Sequence, residues 1–338
     1  MKTIIIVGEH HDFPTGKDFI SANMTELKSC GFERTFLEGM LPKMIPDLQR
    51  HPADKFNVLD SYKKLYSACM KAGVKLLGSE DTLCRMLIDM GAHPAALKEQ
   101  REDKFMSDID KEDTDGVFLT GAGHAADLAK KLKSQGVNVI VILSCPNSPE
   151  ALARFGQIPD AQLVYKTTDM TIGLSLAAML TNRIKDISKE TRDLMKTKPD
   201  MPFPKNREML LEFYRNIKAF ANLDNKEFQS NLDALEYVIG SLYAREKNYE
   251  KAIEFTQLSL DRKIKYQADE SSIANARNKL ELLGKQLEEV RIMEKMQSTL
   301  FAQSAQEAKK AVAQSAESLR SGSSQTADKK DKYTGPSS

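Results

Sequence analysis

Apolar positions along the chain follow two regimes. From residue 1 to about 168, short apolar runs alternate with stretches of helical periodicity; beyond about 170 the spacing is helical almost throughout. Thr3-Ile4-Ile5-Ile6-Val7 has the length and β-branched content of a strand buried on both faces. Arg34 to Leu37, Gly73 to Gly78, Gly116 to Thr120 and Val137 to Leu143 read as further strands, and Gln162 to Tyr165 as a sixth. Helical spacing fills the gaps: Lys17 to Ser29, Asp54 to Lys71, two helices in Thr82 to Asp110 divided near Gly91 and Pro94, and His124 to Ser134. Strands alternating with helices predict an α/β fold, a parallel-rich sheet flanked by helices.

The second regime predicts an all-α region followed by a tail. The expected division is an α/β domain over 1–168, a helix and proline-rich linker over 169–205, helices over 206–300, and a low-complexity, disordered tail over 301–338. Within the helices, Ile239-Gly240, Leu242-Tyr243, Tyr249, Ala252-Ile253 and Phe255 match the small, aromatic and alanine positions of the tetratricopeptide repeat. A second, degenerate copy is expected around Gly284 to Val290. One clear unit is too few for a free-standing solenoid, so a plain helical hairpin docked on the sheet is an equal expectation. A recruiting hairpin implies a protein partner.

Composition narrows the classes. Formal net charge is +1, from 49 basic and 48 acidic side chains, so no strong field for nucleic acid or anionic membrane is expected. No apolar run approaches the length of a membrane span, and the N-terminal run leads straight into polar residues, unlike a signal peptide. Cys30, Cys69, Cys84 and Cys145 lack metal-type spacing and read as reduced thiols. The expected location is cytoplasmic, or secreted without a cleaved signal.

Chemistry-bearing residues gather where strands end. The first strand runs into Gly8-Glu9-His10-His11-Asp12, the second into Glu38, the third into Ser79-Glu80-Asp81, and the fourth into Gly121-Ala122-Gly123-His124. In an open parallel sheet that edge is where ligands bind. A single polar residue there is more often a helix cap; four at equivalent positions point to a site. Gly8, lacking a β-carbon, is expected to let the backbone approach a ligand. His51 and His93, each before a proline, read as loop residues without a role.

Gly8-Glu9-His10-His11-Asp12 resembles the G-E-x-H-D signature of the superfamily of erythromycin esterases, ChaN-like haem-uptake proteins and TIKI/TraB proteins. Glu38 matches that superfamily's strand-end glutamate, Gly121 to His124 its late G-x-G-H turn, and Arg101 an arginine upstream of that turn. The resemblance covers about residues 3 to 145 and implies hydrolysis of an ester or of an amide or peptide bond in a small-molecule or peptide substrate. Glu9, His11, Glu38, His124 and Arg101 would form the centre.

Two mechanisms suit these residues. A histidine, His11 or His124, activates water while Glu9 or Glu38 orients it. Alternatively His11, Glu38 and His124, with Glu80 as a weaker candidate, hold a divalent ion such as Zn, Mn or Co. Arg101 would stabilise an oxyanion or hold an anionic group, and a surface helix arginine is an equal reading. No GxSxG elbow or phosphate loop occurs. The alternative class is a non-catalytic protein that binds a haem-like ligand or acts through its helices. An enzyme-like domain, a helical repeat and a polar tail together resemble effectors that bacteria secrete.

Overall fold

The computed structural model describes residues 2–9, 14–49, 57–143, 164–166, 175–198 and 201–323. Six strands form one parallel sheet: β1 (Thr3–Glu9), β2 (Arg34–Leu37), β3 (Lys75–Gly78), β4 (Gly116–Gly121), β5 (Asn138–Leu143) and β6 (Val164–Lys166), in the order β3-β2-β4-β1-β5-β6. The all-parallel pairing follows from helical crossovers, α1 (Thr15–Ser29), α2 (Asn57–Ala72), α3 (Thr82–Asp89), α4 (Lys98–Asp110) and α5 (Ala122–Ser134). Ile5 and Val7 of β1 pack with Phe19, Ile20 and Met24 of α1 and Leu65 of α2. Ile4 and Ile6 pack with Phe105 of α4 and Ala125 and Leu128 of α5. Strand alternation thus splits the core into two layers, and β1 is buried along its whole length.

Neighbouring strands β1 and β4 are followed by helices on opposite faces. Their register pairs Gly8 with Thr120 and Glu9 with Gly121, so both end at the same level of the carboxyl edge. A β-carbon on Gly8 would stand 2.9 Å from Leu143, 3.2 Å from Ala125 and 3.4 Å from Ala122. What stands close to Gly8 among the described residues is Leu143 of β5 and the first turn of α5. Gly78 plays the same part for the chain after β2, whose Met40 and Leu41 backbone passes over the end of β3.

The later helices are α6 (Leu176–Thr197), α7 (Pro204–Ile217), α8 (Lys226–Arg245), α9 (Tyr249–Lys265) and α10 (Glu270–Ser323). Leu180, Phe213, Phe228, Leu232, Leu235 and Phe255 from α6 to α9 join the same buried cluster as Ile5 and Val7. Phe32 after α1 stacks on Phe220 after α7 with ring centroids 5.6 Å apart. Residues 1–277 form one compact unit and residues 278–338 a second. The compositional change near residue 170 therefore marks a switch from α/β to all-α within one unit.

Helices α8 and α9 form a hairpin. Asn248 caps α9, its side chain accepting from Lys251 N at 3.2 Å. Gly240 lets the helices approach so closely that a β-carbon there would lie 2.9 Å from Thr256 Oγ1. The second repeat copy is overturned, because Gly284 lies inside the continuous helix α10. Leu280, Leu283, Leu287 and Val290 keep helical spacing through it, and one glycine costs a helix only about 1 kcal/mol. The tail expectation is also corrected: residues 301–323 are helix, and 324–338 lie outside the described residues. Their Ala, Gln, Lys and Glu content cannot fill a core but favours helix. Among the described residues no helix is long and apolar enough to cross a membrane.

Candidate functional site

Three strand endings converge on one arginine. Arg101 stands one turn before Phe105 and two before Ile109 on the buried stripe of α4, so the helix that packs on the sheet carries it inward. Its exposure is 7%. Nε and Nη2 donate to the two oxygens of Glu80 at 3.0 and 2.7 Å, a bidentate pair. Nη2 also donates to Glu38 Oε1 at 2.7 Å. Burial by itself pulls the guanidinium pKa down, but the bonds and charges of Glu80 and Glu38 outweigh it and raise the pKa.

Glu38 is fixed from the other side as well. Its Oε2 accepts from Gly121 N at 2.6 Å and from the Thr120 hydroxyl. Glu80 Oε2 accepts from Gly39 N at 3.1 Å, tying the end of β3 to the end of β2. Asp81, its neighbour, takes the plain role of a cap on α3, accepting from Cys84 N at 2.9 Å.

His124 occupies the third position of α5, beside this cluster, with its side chain 14% exposed. Its Nδ1 lies 3.1 Å from Glu102 Oε1. Its Nε2 lies 3.3 Å from Arg101 Nη1 and 3.5 Å from Glu38 Oε1. A guanidinium only donates and a carboxylate only accepts, so a neutral ring satisfies both by carrying its proton on Nδ1 and leaving the Nε2 lone pair toward Arg101. Glu102 also meets Lys131 at 3.2 Å and Lys98 at 3.7 Å. Burial pushes its pKa up, yet the hydrogen bonds of His124 and Lys131 and the charges of Lys98 and Lys131 prevail and lower it. Glu102 is thus an ionised partner that sets the tautomer and orientation of His124.

Glu9 departs from the expected centre. It shares strand parity with Ile5 and Val7, so it turns to the α1–α2 face, whereas Glu38, in phase with Phe36, turns to the α4–α5 face. There Glu9 pairs with Lys17 of α1, both side chains buried, and Lys17 Nζ lies 4.6 Å from the ring centroid of Tyr62 on α2. Burial, then the charges of Glu9 and Glu38, push the Tyr62 phenol pKa upward. His11 lies outside the described residues, as do His51 and Cys145. His93 accepts from Ala95 N at 3.3 Å and caps a single turn.

Of the expected ion ligands, Glu38, Glu80 and His124 do come together, but around a guanidinium. Among the described residues no three His, Cys, Asp or Glu side chains form a group suited to a metal ion. The oxygens of both carboxylates already accept from donors within the protein: Arg101, Gly39 N, Gly121 N and the Thr120 hydroxyl. The described donors therefore do not fit an ion while Arg101 keeps this position.

Glu102, Lys17, Thr120 and Tyr62 were not among the expected site residues. Glu102 stands on the same buried stripe as Met106 and Ile109, and Lys17 keeps helical phase with Ile20, Met24 and Leu27. A charged residue in phase with an apolar stripe was the signal that could have found them. Thr120 gave none, because a threonine in a strand reads as an ordinary β-branched residue. The chain matches no protein-family model, no curated protein and no solved structure, so the site rests on this geometry.

Proposed function

We propose that the chain hydrolyses an ester or amide bond at the carboxyl edge of the sheet, with His124 as general base. The observation that carries the reading is the Glu102–His124 hydrogen bond, 3.1 Å long, on a histidine that retains access to solvent. Water would attack the substrate carbonyl carbon and give its proton to His124 Nε2. The imidazolium would then pass that proton to the leaving oxygen or nitrogen as the scissile bond breaks. Arg101 Nη1 must first yield its hydrogen bond to Nε2, while Nε and Nη2 keep their contacts with Glu80 and Glu38. Glu102 acts through His124 as a positioning residue. This route needs no metal.

The test is turnover of a panel of chromogenic esters and anilides by the full chain. Hydrolysis lost in His124→Ala, with an unchanged circular dichroism spectrum, supports the reading. Turnover equal in wild type and His124→Ala overturns it.

A second reading takes its support from the completeness of the network, since Nε, Nη1 and Nη2 of Arg101 all face partners within the protein. The cluster would then lock three strand ends together without catalysis, and the protein would work by binding. No turnover across the panel, with a severe loss of stability in Arg101 variants, favours it.

A further inference from the structure

The second unit presents an apolar face with a charge pattern of its own. In α10, every residue from 291 to 316 is exposed to solvent. Leu282, Ile292, Met293, Met296 and Leu300 are each at least half exposed, and helical spacing sets them on one side of the helix. An isolated helix gains little stability from propensity alone; burying such a face supplies the rest.

Two pairs of residues on this face stand symmetrically about Met296. Ile292 and Leu300 lie four residues to either side, and Lys285 and Glu307 eleven residues to either side, about 16 Å along the axis. The angular offsets match too: at 100° per residue, Lys285 and Glu307 both fall within about 20° of Met296. We infer that α10 pairs antiparallel with α10 of a second copy of this chain, on a two-fold axis through Met296. That arrangement sets Met296 against itself, Ile292 against Leu300, and Lys285 against Glu307, each cross pair occurring twice. A parallel pair would instead set Lys285 against Lys285 and Glu307 against Glu307. The charges therefore choose the antiparallel form. Lys285 holds Glu281 of its own helix at 2.7 Å, a surface pair weak enough to be exchanged.

Sedimentation equilibrium of the full chain tests this. Wild type is expected to dimerise in the micromolar range, and Met296→Lys to be monomeric with an unchanged circular dichroism spectrum. Lys285→Glu should weaken the dimer roughly tenfold, and adding Glu307→Lys should restore it. Three results would overturn the inference. They are a monomeric wild type, a dimer indifferent to Met296→Lys, and a double variant as weak as Lys285→Glu alone.

Discussion

Arg101 grips both oxygens of Glu80, through Nε at 3.0 Å and Nη2 at 2.7 Å, with both side chains buried. The same Nη2 reaches Glu38, so one cation bridges carboxylates from two strand ends.

Arg101→Met should accordingly destabilise the fold by about 3–5 kcal/mol, because it strands two buried carboxylates without their counter-charge. Arg101→Lys should recover only part of this, since an ammonium cannot reproduce the planar fork. Urea unfolding midpoints at neutral pH measure both. A midpoint for Arg101→Met equal to wild type would remove the cluster from any structural role.

Glu102 makes stability depend on acid. Its folded pKa lies below the ordinary 4.5, so its contribution is fully present above that value and is lost as pH falls through the folded pKa. Glu102→Gln should therefore lower Tm at pH 7 and flatten the Tm-versus-pH curve below pH 4.5, compared with wild type. Parallel curves for the two proteins would contradict the assignment.

The α8–α9 contact predicts a penalty for a small addition. Gly240→Ala gains up to about 1 kcal/mol of helix propensity. It also sets a methyl 2.9 Å from Thr256 Oγ1 and 3.1 Å from Ala252 O. Overpacking of this kind costs about 1–3 kcal/mol, so the net change should be destabilising. Thr256→Ala in the same chain should relieve part of it. A double-mutant cycle in thermal unfolding measures the coupling, and strict additivity would argue against the contact.

Truncation tests the shared core. A chain ending near residue 200 would strip Phe213, Phe228, Leu232 and Leu235 from the cluster that holds Ile5 and Val7. It should aggregate and bind a dye for exposed apolar surface. A soluble, cooperatively folding 1–200 fragment would show that the helices are dispensable to the sheet.

Local pattern alone determined most of the elements up to residue 270. β2 runs over Arg34–Leu37 as its β-branched and aromatic residues indicate, and α3 and α4 divide around Gly91 and Pro94. These follow from periodicity, backbone breakers and turn residues, which act over a few positions. The carboxyl-edge grouping of Glu38, Glu80 and His124 was legible for the same reason, since a parallel sheet sends every strand end to one side.

Tertiary structure alone decided which of those ends meet. Glu9 and Glu38 stand at equivalent strand ends, yet the phase of each strand sends them to opposite faces, and phase has meaning only once the strands are paired in register. The roles of Arg101 and Glu102 depend on which side of α4 meets the sheet, and a helix can dock only when its partner surface exists. Whether the later helices stand apart or cover the sheet was equally beyond composition. Their apolar stripes would suit either arrangement, and the packing of Phe213 and Leu232 into the layer of Ile5 and Val7 chose between them.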